Sequence, residues 1–168
     1  CPQDRFLLAC YNVPLAKALE VQVKDRPNIE VRTVDSLAYS IARMHPETSD
    51  DYIRQREVAV EMARANGRWR VYDAVLVDET QDLDPMALNL LHAVLKEGKD
   101  HFVVALDGAQ NVYRKKARWN PPGLTARGRT TFLPLCYRNT KEIAEYAWRF
   151  LRSAALGELT DDKLDDPT

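Results

Sequence analysis

Residues 74–84 read AVLVDETQDLD, four apolar residues that run directly into a cluster of carboxylates and one amide. A short, wholly apolar run reads as a strand buried on both faces, the pattern of a parallel sheet flanked by helices. Such sheets place ligands just beyond the carboxyl ends of their strands, and Asp78 and Glu79 fall at that edge. A carboxylate pair there suits phosphoryl transfer. One group can hold Mg²⁺ directly or through water, and the other can orient or deprotonate the attacking water.

A bare acidic helix start would also explain carboxylates after a strand, because they cap free N–H groups and suit the helix dipole. The next residues already supply such a start. Asp84 and Pro85 form an N-cap and N1 pair ahead of an apolar-periodic helix carrying Met86, Leu88, Leu90, Leu91, Val94 and Leu95. Asp78, Glu79, Gln81 and Asp82 are therefore not needed to begin it.

Outward from this stretch, strand and helix patterns alternate. Residues 6–10 (FLLAC) read as a strand, followed by a helix over 14–23 with Leu15, Ala18, Leu19 and Val23 facing inward. Residues 29–34 (IEVRTV) alternate, and Asp35 or Ser36 can cap a helix carrying Leu37, Ala38, Ile41 and Met44. A longer charged helix spans 49–66 and stops at Gly67. Residues 72–77, 101–106 and 130–135 read as further strands, and 139–151 as an amphipathic helix. Strands separated by helices give an α/β fold with a parallel sheet. Residues 114–129, basic and rich in Pro and Gly, read as a long loop or hinge, and the acidic tail over 157–168 as a frayed or cut end.

Composition sets outer limits. The 168 residues, 45% hydrophobic and 29% charged, are those of an ordinary globular chain with room for one core or slightly more. No apolar segment approaches the ~20 residues that span a bilayer and no signal peptide opens the chain, so no membrane partner and a cytoplasmic setting are expected. Cys1, Cys10 and Cys136 are too few and too scattered for a disulfide framework or a zinc site. The net charge of −1 argues against a wholly basic nucleic-acid coat but leaves room for a local groove.

Two further strand ends carry chemistry. Residues 103–113 (VVALDGAQNVY) place Asp107, then the small Gly108 and Ala109, then Gln110, whose amide can donate to a phosphate oxygen and accept from a water. A simple turn is the ordinary explanation of Asp107 and Gly108; their position one β/α unit after the acidic cluster gives them weight. Residues 135–140 (LCYRNT) offer the planar cation of Arg138 and the ring of Tyr137, with Asn139 or Thr140 as an ordinary helix cap.

Taken in order, these segments resemble the UvrD/Rep-like superfamily 1 DNA helicases. DETQD at 78–82 is similar to motif II, DGAQNVY at 107–113 to motif III and YRNT at 137–140 to motif IV. Upstream, residues 7–19 are similar to motif Ia and 31–42 to motif Ib. The resemblance covers residues 7–151 and implies a RecA-like, P-loop NTPase-type sheet. The first motor domain would occupy 1–126 and the beginning of the second 127–168.

The resemblance also implies roles. Asp78 would hold the Mg²⁺ of ATP, with Glu79 close enough to share the metal, and Glu79 would activate the hydrolytic water. Gln110 would sense the γ-phosphate and Arg138 would act as an arginine finger. Gln81 would belong to the nucleotide-binding set, and Tyr137 would stack on adenine. Asn12, Thr33, Ser36 and Tyr113 would lie along single-stranded or partly duplex DNA, where aromatic stacking tolerates any base. Lys115, Lys116 and Arg118 could meet phosphates, though a solvated loop is the commoner explanation for three such cations.

Departures from the family pattern qualify this. The chain has no GxxxxGK[ST] loop, its nearest counterpart being Gly98 and Lys99 followed by Asp100. It begins at Cys1 almost at motif Ia, which implies a piece of a larger helicase, inactive by itself. Lys115 stands where motif III commonly has an aromatic, with Trp119 four residues on. Asp35 stands where motif Ib often has His, and the interval between Ala42 and Tyr72 leaves little room for a large inserted subdomain. Two competing classes remain, a degenerate helicase-derived module that binds nucleic acid or protein without hydrolysing ATP, and an unrelated Mg²⁺-dependent phosphohydrolase using Asp78, Glu79 and Asp107; Gln81, Gln110 and Arg138 speak against both.

Overall fold

The computed structural model describes residues 3–105, 129, 131 and 140–154. The chain divides into two compact units, Cys1–Thr125 and Ala126–Thr168. In the first, four strands, β1 (Phe6–Cys10), β2 (Ile29–Thr33), β3 (Ala74–Val77) and β4 (His101–Val104), form one sheet in the order β2-β1-β3-β4. Every pairing is parallel, with Ala9 opposite both Arg32 and Val77 and Cys10 opposite Thr33. The helices are α1 (Val13–Val23), α2 (Val34–Ala42), α3 (Ser49–Ala65) and α4 (Pro85–Ala93). The chain is thus α/β with a parallel sheet flanked by helices, as the alternating pattern predicts.

Right-handed crossovers explain the distribution of the helices. The step from β1 out to β2 puts α1 on one face, and the steps back to β3 and on to β4 put α2, α3 and α4 on the other. The core lies on that second face, where Leu7, Ala9, Val75 and Val77 of the sheet meet Leu37, Ile41, Val60, Leu88 and Leu91. Against the opposite face, α1 packs mainly on β2 and β1 among the described elements. Leu76 and Val103 therefore stay 39% and 57% exposed.

Several boundaries differ from the sequence reading for local reasons. The cap of α2 is Thr33, whose hydroxyl accepts from the Ser36 N–H at 3.2 Å, rather than Asp35 or Ser36. Met44 lies beyond that helix, which ends at a left-handed Arg43. Ala16, not Ala18, is the buried residue of α1. α3 stops ahead of Gly67 as expected, one residue short at Ala65, and the extended Asn66 accepts from the Arg68 N–H to open a short 3-10 turn. Tyr72 is outside β3 because it bridges Leu95 instead, and the buried Val94 and Leu95 follow α4 rather than belonging to it. The expected strand over 130–135 falls almost wholly outside the described residues.

In the second unit, α5 (Lys141–Ala154) is amphipathic, with Ile143, Tyr146 and Phe150 exposed. No helix among the described residues is long and apolar enough to cross a membrane.

Candidate functional site

The carboxyl end of β3 is pinned from both sides before it turns. Asp78 donates its N–H to the Ala9 carbonyl at 2.9 Å, continuing the ladder towards β1, while Ala105 donates to the Val77 carbonyl at 2.8 Å from β4. Thr80 closes the other half of that link. Its N–H and its hydroxyl both donate to the Ala105 carbonyl, at 3.1 and 2.9 Å, and the residue is fully buried. A strand end clamped this way leaves one residue, Glu79, to absorb the change of direction.

Glu79 does so with φ 52° and ψ 44°, the left-handed region. A non-glycine residue held there costs about 1 kcal/mol, and such strain collects at functional sites where the surroundings over-determine it. The turn is stabilised locally: the Glu79 N–H donates to Asp78 Oδ1 at 2.9 Å, and Asp82 N–H donates to the Glu79 carbonyl at 3.1 Å. The outcome is a pair of half-buried carboxylates at the sheet's carboxyl edge. Neither Asp78 nor Glu79 is ion-paired among the described residues.

Gln81 gives the pair its orientation. Its buried side chain donates from Nε2 to Glu79 Oε2 at 2.5 Å, so an amide rather than a cation holds the carboxylate. An amide leaves the carboxylate's charge intact and the other oxygen open to a further partner. Cys10 lies at the same edge. Burial first, and the charge of Asp78 second, push its thiol above its ordinary pKa, which leaves it an inert neutral group.

The same edge carries the residues read as strand contacts. Asn12 follows β1 and its Oδ1 accepts from the Leu15 N–H at 2.8 Å, so it serves as the cap of α1 while remaining exposed. Thr33 ends β2 and is buried; Ser36, in the first turn of α2, is exposed and donates to the Thr33 carbonyl at 2.9 Å. With β1 lying between β2 and β3, about 10 Å of sheet separates the Thr33 backbone from that of Val77. The structure thus gathers Asn12, Thr33, Ser36, Asp78, Glu79 and Gln81 along one rim. Asp107, Gln110, Tyr113, Lys115, Lys116, Arg118, Trp119, Tyr137 and Arg138 lie outside the described residues.

Two residues at this rim escaped the sequence reading. Thr80 sits inside the acidic cluster, where a β-branched residue between polar ones gives little sign that its hydroxyl will splice two strands. Arg56 of α3 is more legible afterwards, being a cation on the apolar stripe of Ala59, Val60 and Ala63. It reaches Asp35 of α2 at 2.6 Å and also Asp84, the cap of α4. Asp35 thus shares one guanidinium with Asp84. Among the described residues no group of three or more His, Cys, Asp or Glu side chains could hold a metal ion. Comparison with known proteins returns no match: no family model, no curated protein and no solved structure.

Proposed function

We propose that this chain is the RecA-like part of an ATP-dependent DNA helicase or translocase of the UvrD/Rep type, carrying the hydrolytic carboxylates and one side of a single-strand track. The observation that supports it above the rest is the pair Asp78 and Glu79, unmatched by any described cation, at the carboxyl end of a central parallel strand with Glu79 in a strained backbone conformation. Strain and uncompensated charge on neighbouring acids are expected where a ligand supplies the missing partner.

Two hard oxygen donors fit Mg²⁺ arriving with a nucleotide, since that ion is commonly held by one or two carboxylates together with phosphate oxygens and water. When bound, it would neutralise charge on the phosphates. Asp78 would be its principal protein ligand. Glu79 would accept the proton of the attacking water, and Gln81 would hold the Glu79 carboxylate in the productive direction. The Thr80 link to Ala105 would keep this turn in register with the segment that begins at 106, where Gln110 would sense the γ-phosphate. Arg138 would carry the arginine-finger role and Tyr137 the adenine-stacking role, and Asn12, Thr33, Ser36 and Tyr113 would follow the strand.

The test is ATP hydrolysis by the protein that contains this sequence, with and without single-stranded DNA, beside its Glu79→Gln variant. DNA should raise the rate severalfold, and the variant should lose roughly 10²–10⁴-fold while still binding nucleotide. Hydrolysis that is absent or indifferent to DNA overturns the motor reading and leaves a non-hydrolysing binding module.

A further inference from the structure

Beyond the rim, the exposed face of α2 continues the line of Thr33 and Ser36. Helical periodicity places Ser36, Tyr39 and Arg43 on one side, opposite the buried Leu37, Ala38 and Ile41. Tyr39 is 37% exposed and its ring meets that of His45, with centroids 4.8 Å apart and planes tilted by 52°. The two are also joined by a 3.2 Å contact between the Tyr39 hydroxyl and His45 Nε2. The Arg43 guanidinium stands 6.0 Å from the centre of the same tyrosine ring.

Arg43 holds this place at a conformational disadvantage. It terminates α2 with φ 56° and ψ 27°, a position where glycine or asparagine is usual, while its N–H closes the helix on the Tyr39 carbonyl. Arg43 and Glu79 are the two non-glycine residues in the left-handed region among those described. Glu79 is the proposed water-activating group, and the second outlier presents a cation beside an exposed aromatic pair. Arg43 is not ion-paired among the described residues. Asp51, an acid of the adjoining α3 start, is turned onto Thr48 and the Glu47 N–H.

We propose that Tyr39, His45 and Arg43 form a platform for single-stranded nucleic acid, an extension of the strand track along the outside of α2. The two rings offer stacking surface to bases and the guanidinium a partner to a phosphate, the combination that binds single strands without sequence preference. The inference rests on the reading of the rim as a strand track and extends it from Tyr39, inside the segment similar to motif Ib, to Arg43 and His45, which lie beyond that segment.

The experiment measures binding of a fluorescently labelled oligothymidylate to the chain by anisotropy across a salt series. It compares the wild type with Tyr39→Ala, Tyr39→Phe and Arg43→Gly. Arg43→Gly suits the left-handed backbone, so its fold is preserved. Tyr39→Ala should weaken binding about tenfold while Tyr39→Phe keeps most of the affinity. Arg43→Gly should weaken binding severalfold and flatten the salt dependence by about one phosphate contact. Wild-type binding that none of the variants changes overturns the platform and leaves the hydrolytic reading intact. Failure of the wild type to bind at low salt overturns it, as does equal competition by polyglutamate with no effect of Tyr39→Ala. Variants that lose DNA in a protein that does not hydrolyse ATP keep the platform and discard the motor.

Discussion

At the amino end of the sheet, Glu30 is met by Arg5 at 3.3 Å, Arg32 at 2.5 Å and the Tyr72 hydroxyl at 2.8 Å. Asp73 beside it is met by Lys96 at 2.6 Å and the Arg5 N–H at 2.9 Å. At the carboxyl end, the partners of the Asp78 and Glu79 carboxylates among the described residues are a backbone N–H and an amide. Burial by itself would raise the pKa of Glu30, yet the Tyr72 hydroxyl and the two arginines outweigh it and hold the carboxyl below its ordinary value. Burial and that same carboxylate push the Tyr72 phenol well above its usual range, so it stays a donor. One end of the sheet is closed on itself. At the other, no cation among the described residues pairs with either carboxylate.

The contrast breaks most severely at Arg56, the one described cation that anchors acids behind the carboxyl rim. Its side chain is 10% exposed and pairs with Asp35 and Asp84, so Arg56→Met leaves two carboxylates from two helices uncompensated. Loss of one partner from a buried pair costs about 3–5 kcal/mol, and the partial exposure of both acids reduces that to about 2–4 kcal/mol. Urea unfolding should show a midpoint lowered accordingly. A loss below about 1 kcal/mol would mean that the network behaves as a surface pair.

A smaller change should act in the opposite direction. Glu79→Gly removes the left-handed strain and with it the bond from Gln81, for a net gain of up to about 1 kcal/mol in unfolding free energy. The same change should abolish the proposed hydrolysis. A raised urea midpoint at unchanged slope, combined with lost turnover, would identify the carboxyl rim as stability given up for chemistry. A lowered midpoint would show that the Gln81 hydrogen bond outweighs the backbone strain.

How far the sequence could be read follows from which forces are local. The strand at Ala74–Val77 and the helix opened by Asp84 and Pro85 rest on apolar pattern and capping chemistry within a few residues, and both formed as expected. The start of α2 could not be chosen locally, because Thr33, Asp35 and Ser36 are all capping residues. Arg56, 21 residues from Asp35, draws that side chain aside, and Thr33 takes the cap. Tyr72 reads as strand by propensity, yet its backbone pairs with the chain leaving α4. The left-handed turn at Glu79 has no signature at all, since it arises from the clamp between Ala9, Val77 and Ala105 across three strands. The acids of the candidate site were legible, and the devices that aim them were not.

The weakest prediction tests the closed end of the sheet, where Asp73 owes its low pKa first to the Lys96 hydrogen bond and then to the Arg5 N–H, with the lysine charges adding and burial opposing. A carboxyl whose folded pKa lies below its unfolded value binds fewer protons in the native state, so its stabilisation is complete above the unfolded value. It disappears as pH falls through the folded one. Asp73→Asn should therefore be less stable than wild type near neutrality, and the gap between their urea midpoints should close as pH falls below the ordinary aspartate value of about 3.9. The lysines are 40% and 42% exposed, which keeps the effect small. A gap that stays constant on acidification would assign the contribution of Asp73 to hydrogen-bond geometry alone. The two ends of the sheet would then differ in partners but not in the use they make of charge.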